Sequence, residues 1–372
     1  MARVFAEEYA TPSGWRTREP GFIIWAFISL LSVLLHIFFY SIYFLPGYLR
    51  PSGQWSYRQA LTSQLMRVVL SVLADLGFKR PLSLEAHNQE EQWVVMEYGP
   101  AEAYQGPISS SFLRLERIGA TWYPSTPPKA PSGAAACIDD NGLIILCFHS
   151  GLGDDTRALW VQYRLAGDPK KPTPYPGPIQ DALTAYLFLA DEFGIPPHRI
   201  VLAGDCSGAT LAVALLRYIS SDAEKNGGLR GQNLPAPPKA CLIFSPPVDY
   251  SAEGDSQGID MHRNHKIDYV EGRTAAWGAR SFAPPPFRLD NPYLSSLASV
   301  RNAGTHLRAG AEVLYETIRA FTEAMQTIPG NRVKYLEVSD APHDIFMVGN
   351  ILGWLKEAEG SVDAAAAFLS RM

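Results

Sequence analysis

Charge is scarce in this chain. Only 19% of its 372 residues are Asp, Glu, Lys or Arg, and 37 acids against 32 bases give a formal net charge of −5. Such a surface carries no basic footprint, which argues against nucleic acid as a partner. Cysteine is scarcer still, limited to Cys137, Cys147, Cys206 and Cys241. Four thiols in a chain this long make no disulfide framework, and no C-x-x-C or Cys/His spacing suggests zinc. Cys147 and Cys241 sit in apolar, strand-like runs, where a cysteine behaves as a small buried hydrophobe. The chain also lacks any Asn-x-Ser/Thr sequon, internal repeat or low-complexity tract. The missing sequon favours a main domain that never enters the secretory lumen.

Against these absences stands a hydrophobic content of 47%, enough for one large α/β domain plus an appendage. The proline-rich patches Pro124–Pro131, Pro172–Pro178 and Pro284–Pro286 read as loops. The appendage is Phe22–Leu45, which contains no Asp, Glu, Lys or Arg. As a helix it would span about 36 Å at about 1.5 Å per residue, longer than a hydrocarbon core of about 30 Å. Trp25, Tyr40 and Tyr43 lie near its ends, where aromatic rings favour the interface, and Pro46-Gly47 stops it. A cleaved signal peptide fits less well. Glu7, Glu8 and Glu19 precede the run, and no small-residue cleavage site follows it. An uncleaved single-pass anchor is expected, in the endoplasmic reticulum with the main domain cytosolic; a buried or surface-lying helix is the alternative.

Tyr57–Leu76 places Leu61, Leu65, Val68, Val69, Val72, Leu73 and Leu76 at helical spacing, predicting a helix on the domain or on the membrane. Residues 90–135 alternate apolar and polar and suit the first antiparallel strands. From Gly142 onward, strands and helices alternate. Leu143–Phe148 and Ala240–Phe244 read as buried strands, Ile179–Phe193 as a helix, Ile200–Ala203 as a strand and Leu211–Ile219 as a helix. Val333–Val338 reads as a late strand and Ile351–Leu369 as a closing helix. This pattern implies a mostly parallel sheet covered on both faces. Ser251–Ser296 breaks the rhythm and reads as an inserted cap. The domains expected are a tail over 1–21, an anchor over 22–45, a helical linker region over 46–90 and an α/β domain over 91–372, with the cap at 251–296.

The stretch Ile200–Ala209 carries the chemistry. A short strand enters Gly204-Asp205-Cys206-Ser207-Gly208 and an apolar helix follows, as a nucleophile elbow requires. The residues two before and two after the nucleophile must be small, because the backbone doubles back. Cys206 is the candidate nucleophile; Ser207 would be flanked by Asp205 and Ala209 and fits poorly. A base should follow the last strand, and His343 does so. His36, His87, His198, His262 and His265 are worse placed. An acid should precede it in the chain, and Glu312 is the choice, with Asp340 and Glu316 as fallbacks. The strand expected before Glu312, Thr305–Ala309, is short and polar. An oxyanion hole needs backbone N–H donors, and Gly151, Leu152 and Ser207 are candidates.

With these motifs in order, the chain resembles an α/β hydrolase of the hormone-sensitive-lipase-like group, most similar to filamentous-fungal members, some encoded beside natural-product pathways. The resemblance covers roughly residues 100–372 and implies the α/β-hydrolase fold. The family's His-Gly-Gly-Gly loop is met by His149-Ser150-Gly151-Leu152, and its Gly-Asp-Ser-Ala-Gly elbow by Gly204–Gly208. Its Gly-x-Asp-x-Leu acid motif is met by Gly310–Leu314, and its His-x-Phe segment by His343–Phe346. Ser150 and Leu152 add side chains where the family has none, Glu replaces Asp, and Cys replaces Ser.

A thiol ionises more readily than a serine hydroxyl, so an acyl-enzyme on sulfur is expected. Three readings follow. The first is a membrane-anchored Cys206-His343-Glu312 enzyme for hydrolysis or acyl transfer on an apolar ester, lactone or thioester, in secondary-metabolite biosynthesis. The second is a non-hydrolytic condensation or cyclisation enzyme using His343 as base. The third is a catalytically silent binding scaffold. Tyr269, Trp277, Phe282, Phe287 and Tyr293 would either line the cleft or form the cap's own core. The partners expected are an apolar small molecule and the membrane. No metal or organic cofactor is implied.

Overall fold

The structure, a computed structural model, describes residues 19–76, 83–125, 142–149, 157–166, 172–225, 234–284, 287–299 and 312–372. Its frame is a six-stranded sheet: β1 (Trp93–Met96), β2 (Ile118–Tyr123), β3 (Ile144–Phe148), β4 (Ala158–Gln162), β5 (Ile200–Asp205) and β6 (Ala240–Phe244). The spatial order is β1-β2-β4-β3-β5-β6. β1/β2 and β2/β4 pair antiparallel, whereas β4/β3, β3/β5 and β5/β6 pair parallel.

Side-chain alternation explains why β3 and the first four residues of β5 are apolar. Ile144, Leu146, Phe148, Ile200 and Leu202 face one layer, with Leu183, Tyr186, Leu211 and Leu215. Ile145, Cys147, Val201 and Ala203 face the other, beside Ala365 and Phe368. A strand buried on both faces has no polar positions to spare. The helices supplying these layers are α3 (Gly177–Leu187), α4 (Cys206–Lys225) and the C-terminal α10 (Leu355–Leu369).

The two helices before the sheet are α1 (Gly21–Tyr43) and α2 (Tyr57–Leu76). α1 has a mean hydropathy of 2.5 and is mostly exposed, so by length and composition it can cross a membrane. α2 packs on the domain. Its Gln64 amide donates to the Lys266 carbonyl at 3.2 Å, and Arg67 donates to the carbonyls of His265 and Asp268. Over the stretch expected as a cap lie α5 (Tyr250–Glu253), α6 (Ser256–Asp260) and α7 (Gly272–Phe282), and α8 (Tyr315–Gln326) follows.

Three expectations change. β4, an interior strand between β2 and β3, was not among the expected elements, because it is a short run of five residues and its central Trp160 is exposed. Val333–Val338 carries no strand assignment and joins no ladder among the described residues, since burial alternation alone does not make a strand without a paired neighbour. The closing helix is two helices, α9 (Ile345–Leu352) and α10. They divide at Gly353, whose φ of 91° is left-handed and ends α9.

Candidate active site

Cys206 stands at the C-terminal end of β5, at the first residue of α4, with φ of 46°. A non-glycine residue in the left-handed region is strained, and here the strain lifts the thiol out of the sheet. Its neighbours show why the turn needs glycines. A Cβ on Gly204 would lie 2.4 Å from the Gly208 carbonyl carbon, and one on Gly208 would lie 1.9 Å from the Phe148 carbonyl oxygen. The elbow therefore closes on itself and over the end of β3 with no room for a methyl group.

His343 precedes α9 and is 3% exposed. Its Nδ1 lies 3.1 Å from Glu312 Oε2, just before α8. An Nδ1–H donated to this carboxylate leaves Nε2 as the working nitrogen. Nε2 is buried with no hydrogen-bond partner among the described residues. Burial opposes charge on the ring, but the Cys206 and Glu312 charges outweigh it and hold His343 well above the usual histidine range. The fallback acids are engaged elsewhere. Glu316 meets His262 Nε2 at 2.6 Å and Arg263 at 2.9 Å, and Asp340 accepts from Ser52 Oγ at 3.2 Å.

Of the oxyanion candidates, Gly151 and Leu152 lie outside the described residues. Ser207 is in the first turn of α4, where backbone N–H groups are unpaired. Its side chain hydrogen-bonds Tyr163, whose hydroxyl also meets His149 Nε2. That contact gives the Ser207 hydroxyl a partner in Tyr163.

Three acidic residues that were not among the candidate site residues complete the surroundings. Asp205 is pushed up to about 8 by burial and by the Asp344 carboxylate, to which it hydrogen-bonds. Asp344 itself immediately precedes α9 with φ of 48°, and its N–H donates to Ser245 Oγ at 2.9 Å. Asp268 is fully buried beside Glu312 and His343, and one ligand atom of each lies within 4.8 Å of the others. This trio could be read as a metal centre. Both Asp268 oxygens, however, already accept backbone N–H groups, and Glu312 Oε2 is on His343, so the donors are committed to hydrogen bonds.

Among the cap aromatics, Phe282 and Tyr293 are buried in the main core and Phe287 packs against it. Tyr269 stands beside the site, its ring edge-on to His343 at 6.0 Å. A cavity of about 460 Å³ follows β6, past Phe244, Tyr335 and Phe346 to Glu312; neither Cys206 nor His343 lines it.

Known proteins share this fold. A family model described as alpha/beta hydrolase fold matches residues 153–347. An acetyl-hydrolase of Streptomyces hygroscopicus is 29% identical over 225 residues, which are 59% of this chain and 67% of that protein. An ethyl acetate hydrolase of Pseudomonas putida is 26% identical over 214 residues, 56% of this chain and 61% of that protein. An esterase from the bacterial hormone-sensitive lipase family superposes with a TM-score of 0.50 at 18% identity, over 92% of this chain and 98% of that one. A hyperthermophilic esterase from the archaeon Pyrobaculum calidifontis gives 0.51 at 16% identity, over 91% and 97%. At such identities these two structures speak for the fold. With a family model spanning more than half of its length, the chain belongs to the α/β-hydrolase fold family, as an enzyme of its esterase-like kind.

Proposed function

We propose that the protein is a membrane-anchored carboxylic ester hydrolase or acyl transferase in which Cys206 is the nucleophile, His343 the general base and acid, and Glu312 the orienting carboxylate. The observation that carries this reading is the strained Cys206 at the elbow together with the buried His343–Glu312 contact at 3.1 Å. Named relatives that hydrolyse acetyl and ethyl acetate substrates support an ester bond as the target.

In the first half-reaction Cys206 gives its thiol proton to His343 Nε2, Sγ attacks the acyl carbon, and the charge moves onto the carbonyl oxygen. The backbone N–H of Ser207, with donors from the loop after β3, is suited to meet that oxyanion. The carbon–oxygen bond to the leaving group then breaks, His343 Nε2 protonates the departing alkoxide, and a thioester remains on Cys206. In the second, water or another acceptor gives its proton to Nε2 and attacks the thioester, and the thiolate leaves. Glu312 keeps the ring in one tautomer and stabilises the imidazolium at both stages.

α1 supports an apolar substrate that reaches the enzyme from a bilayer, and the resemblance to fungal natural-product hydrolases suggests a secondary metabolite as its source. The test is the intact mass of the protein after brief exposure to p-nitrophenyl acetate, with the adduct mapped by digestion. An acetyl group on Cys206, absent in Cys206→Ala, is expected, together with a loss of turnover of at least about 10³-fold in Cys206→Ala and His343→Ala. Retained turnover in Cys206→Ala with loss in His343→Ala would replace this reading with base-only chemistry.

A further inference from the structure

The cap touches the triad at its least visible point. Asp268, between α6 and α7, has no exposed surface. Its Oδ2 accepts from the Val313 N–H at 2.8 Å. Its Oδ1 accepts from the His343 N–H at 3.2 Å and from Val270 N–H at 3.1 Å. Four residues earlier, the Asn264 side-chain amide donates to the Glu312 carbonyl at 3.0 Å. The Glu312 carbonyl and the Val313 N–H belong to one peptide unit, so Asn264 and Asp268 grip it from both sides. The same Asp268 carboxylate holds the backbone of the base. Asn264 and Asp268 are themselves tied, since the Asp268 N–H donates to the Asn264 carbonyl at 3.0 Å, and Arg67 of α2 binds the Asp268 carbonyl.

We infer that the cap turn Asn264–Asp268 is a clamp that sets the distance between the acid and the base, with Asp268 as the positioning residue. The inference rests on the Glu312–His343 reading above. Its physical basis is that a carboxylate accepting several backbone N–H groups fixes chain segments from distant parts of the sequence with little freedom. Glu312 and His343 are on separate loops, 31 residues apart, with no strand pairing between them among the described residues. A displacement of about 1 Å in such a pair can cost about 10²-fold in rate. Two features separate this clamp from ordinary core packing: it binds the backbone of both partners, and its own charge faces the imidazole.

The test is steady-state turnover of p-nitrophenyl acetate by the full chain carrying Asp268→Asn, beside His343→Ala and Cys206→Ala. The amide keeps the size but offers one acceptor oxygen and turns N–H donors toward N–H donors. The expected result is a fall in kcat of about 10- to 100-fold with KM changed less than about threefold. The groups facing His343 are Cys206, Glu312, Asp268, Asp344, Asp205 and Tyr269. Loss of the Asp268 charge alone moves the His343-dependent limb of kcat/KM to lower pH. Asp268→Asn with wild-type kcat and an unmoved limb, while His343→Ala is inactive, overturns the clamp. So does a loss of kcat that only matches the folded fraction by circular dichroism. Full activity in His343→Ala and Cys206→Ala would instead remove the triad reading itself. Should Asp268→Asn fail to fold, Asn264→Ala decides: it removes the amide donor to the Glu312 carbonyl and keeps Asp268, and kcat falls about 3- to 10-fold if the clamp acts, or stays unchanged if it does not.

Discussion

At the scale of single residues, the elbow is built from what cannot be larger. Gly204 and Gly208 leave no space for Cβ, and Cys206 accepts a left-handed φ between them. These residues were legible in the sequence because the constraint is local and steric. Asp205 was legible only as part of a motif; its partner Asp344 lies 139 positions away and comes to it through the loop before α9. Burial and the neighbouring Asp344 carboxylate both disfavour the ionised form of Asp205. Because the folded pKa of Asp205, about 8, stands above an ordinary carboxyl value of about 3.9, the native state binds more protons between those values. Its contribution to stability is therefore largest below about pH 4 and is lost as pH rises toward 8. Asp205→Asn keeps a donor to Asp344 without an ionisation. We expect it to flatten this decline and to raise Tm at pH 8 relative to the parent, by about 2–4 °C per kcal/mol regained, in thermal melts from pH 5 to 8.

At the scale of elements, α2 and α9 do more than the hydrophobic pattern indicates. α2 follows the apolar α1, yet it is braced to the cap by Gln64 and Arg67 and to the end of α9 by Arg58, whose guanidinium donates to the Asn350 carbonyl at 2.6 Å. Just before α2, Trp55 donates from Nε1 to the Asp340 carbonyl at 2.7 Å and meets the Trp354 ring edge-on at 4.9 Å. Phe44, Trp55, Tyr269, Ala341 and Ile345 form one buried cluster, which places the N-terminal segment against the loop that carries His343. Trp55→Ala removes a large side chain from that cluster. It should destabilise the fold by about 3–5 kcal/mol in chemical denaturation. It should also lower turnover at temperatures where the protein remains folded, because the Asp340–His343 loop loses its support. A loss of stability with turnover unchanged would make the N-terminal segment a structural buttress only. The α9–α10 break escaped sequence inspection because one glycine inside an apolar periodic run reads as tolerable until its φ is known.

At the scale of the whole molecule, α1 stands apart from the body it is attached to. Only 11% of its most apolar window is buried, whereas Phe44, directly after it, belongs to the core. Removal of residues 1–38 spares Tyr40 and Phe44. Under the proposed anchoring, the full chain stays in the membrane pellet after alkaline carbonate extraction and the shortened chain moves to the supernatant with its ester-hydrolysing activity intact. Equal release of both chains would make α1 something other than an anchor.

The sequence by itself determined the α/β alternation, the apolar N-terminal helix, the elbow and the chain order of Cys206, Glu312 and His343. Each rests on local periodicity, a steric rule or a motif contained in a few consecutive residues. Only the tertiary structure decided that Glu312 rather than Glu316 or Asp340 faces His343, that the Ser207 hydroxyl belongs to Tyr163, and that Asp268 grips both loops. Those outcomes depend on which backbone groups meet across tens or hundreds of residues. A hydrogen bond between distant loops leaves no periodic trace in either of them.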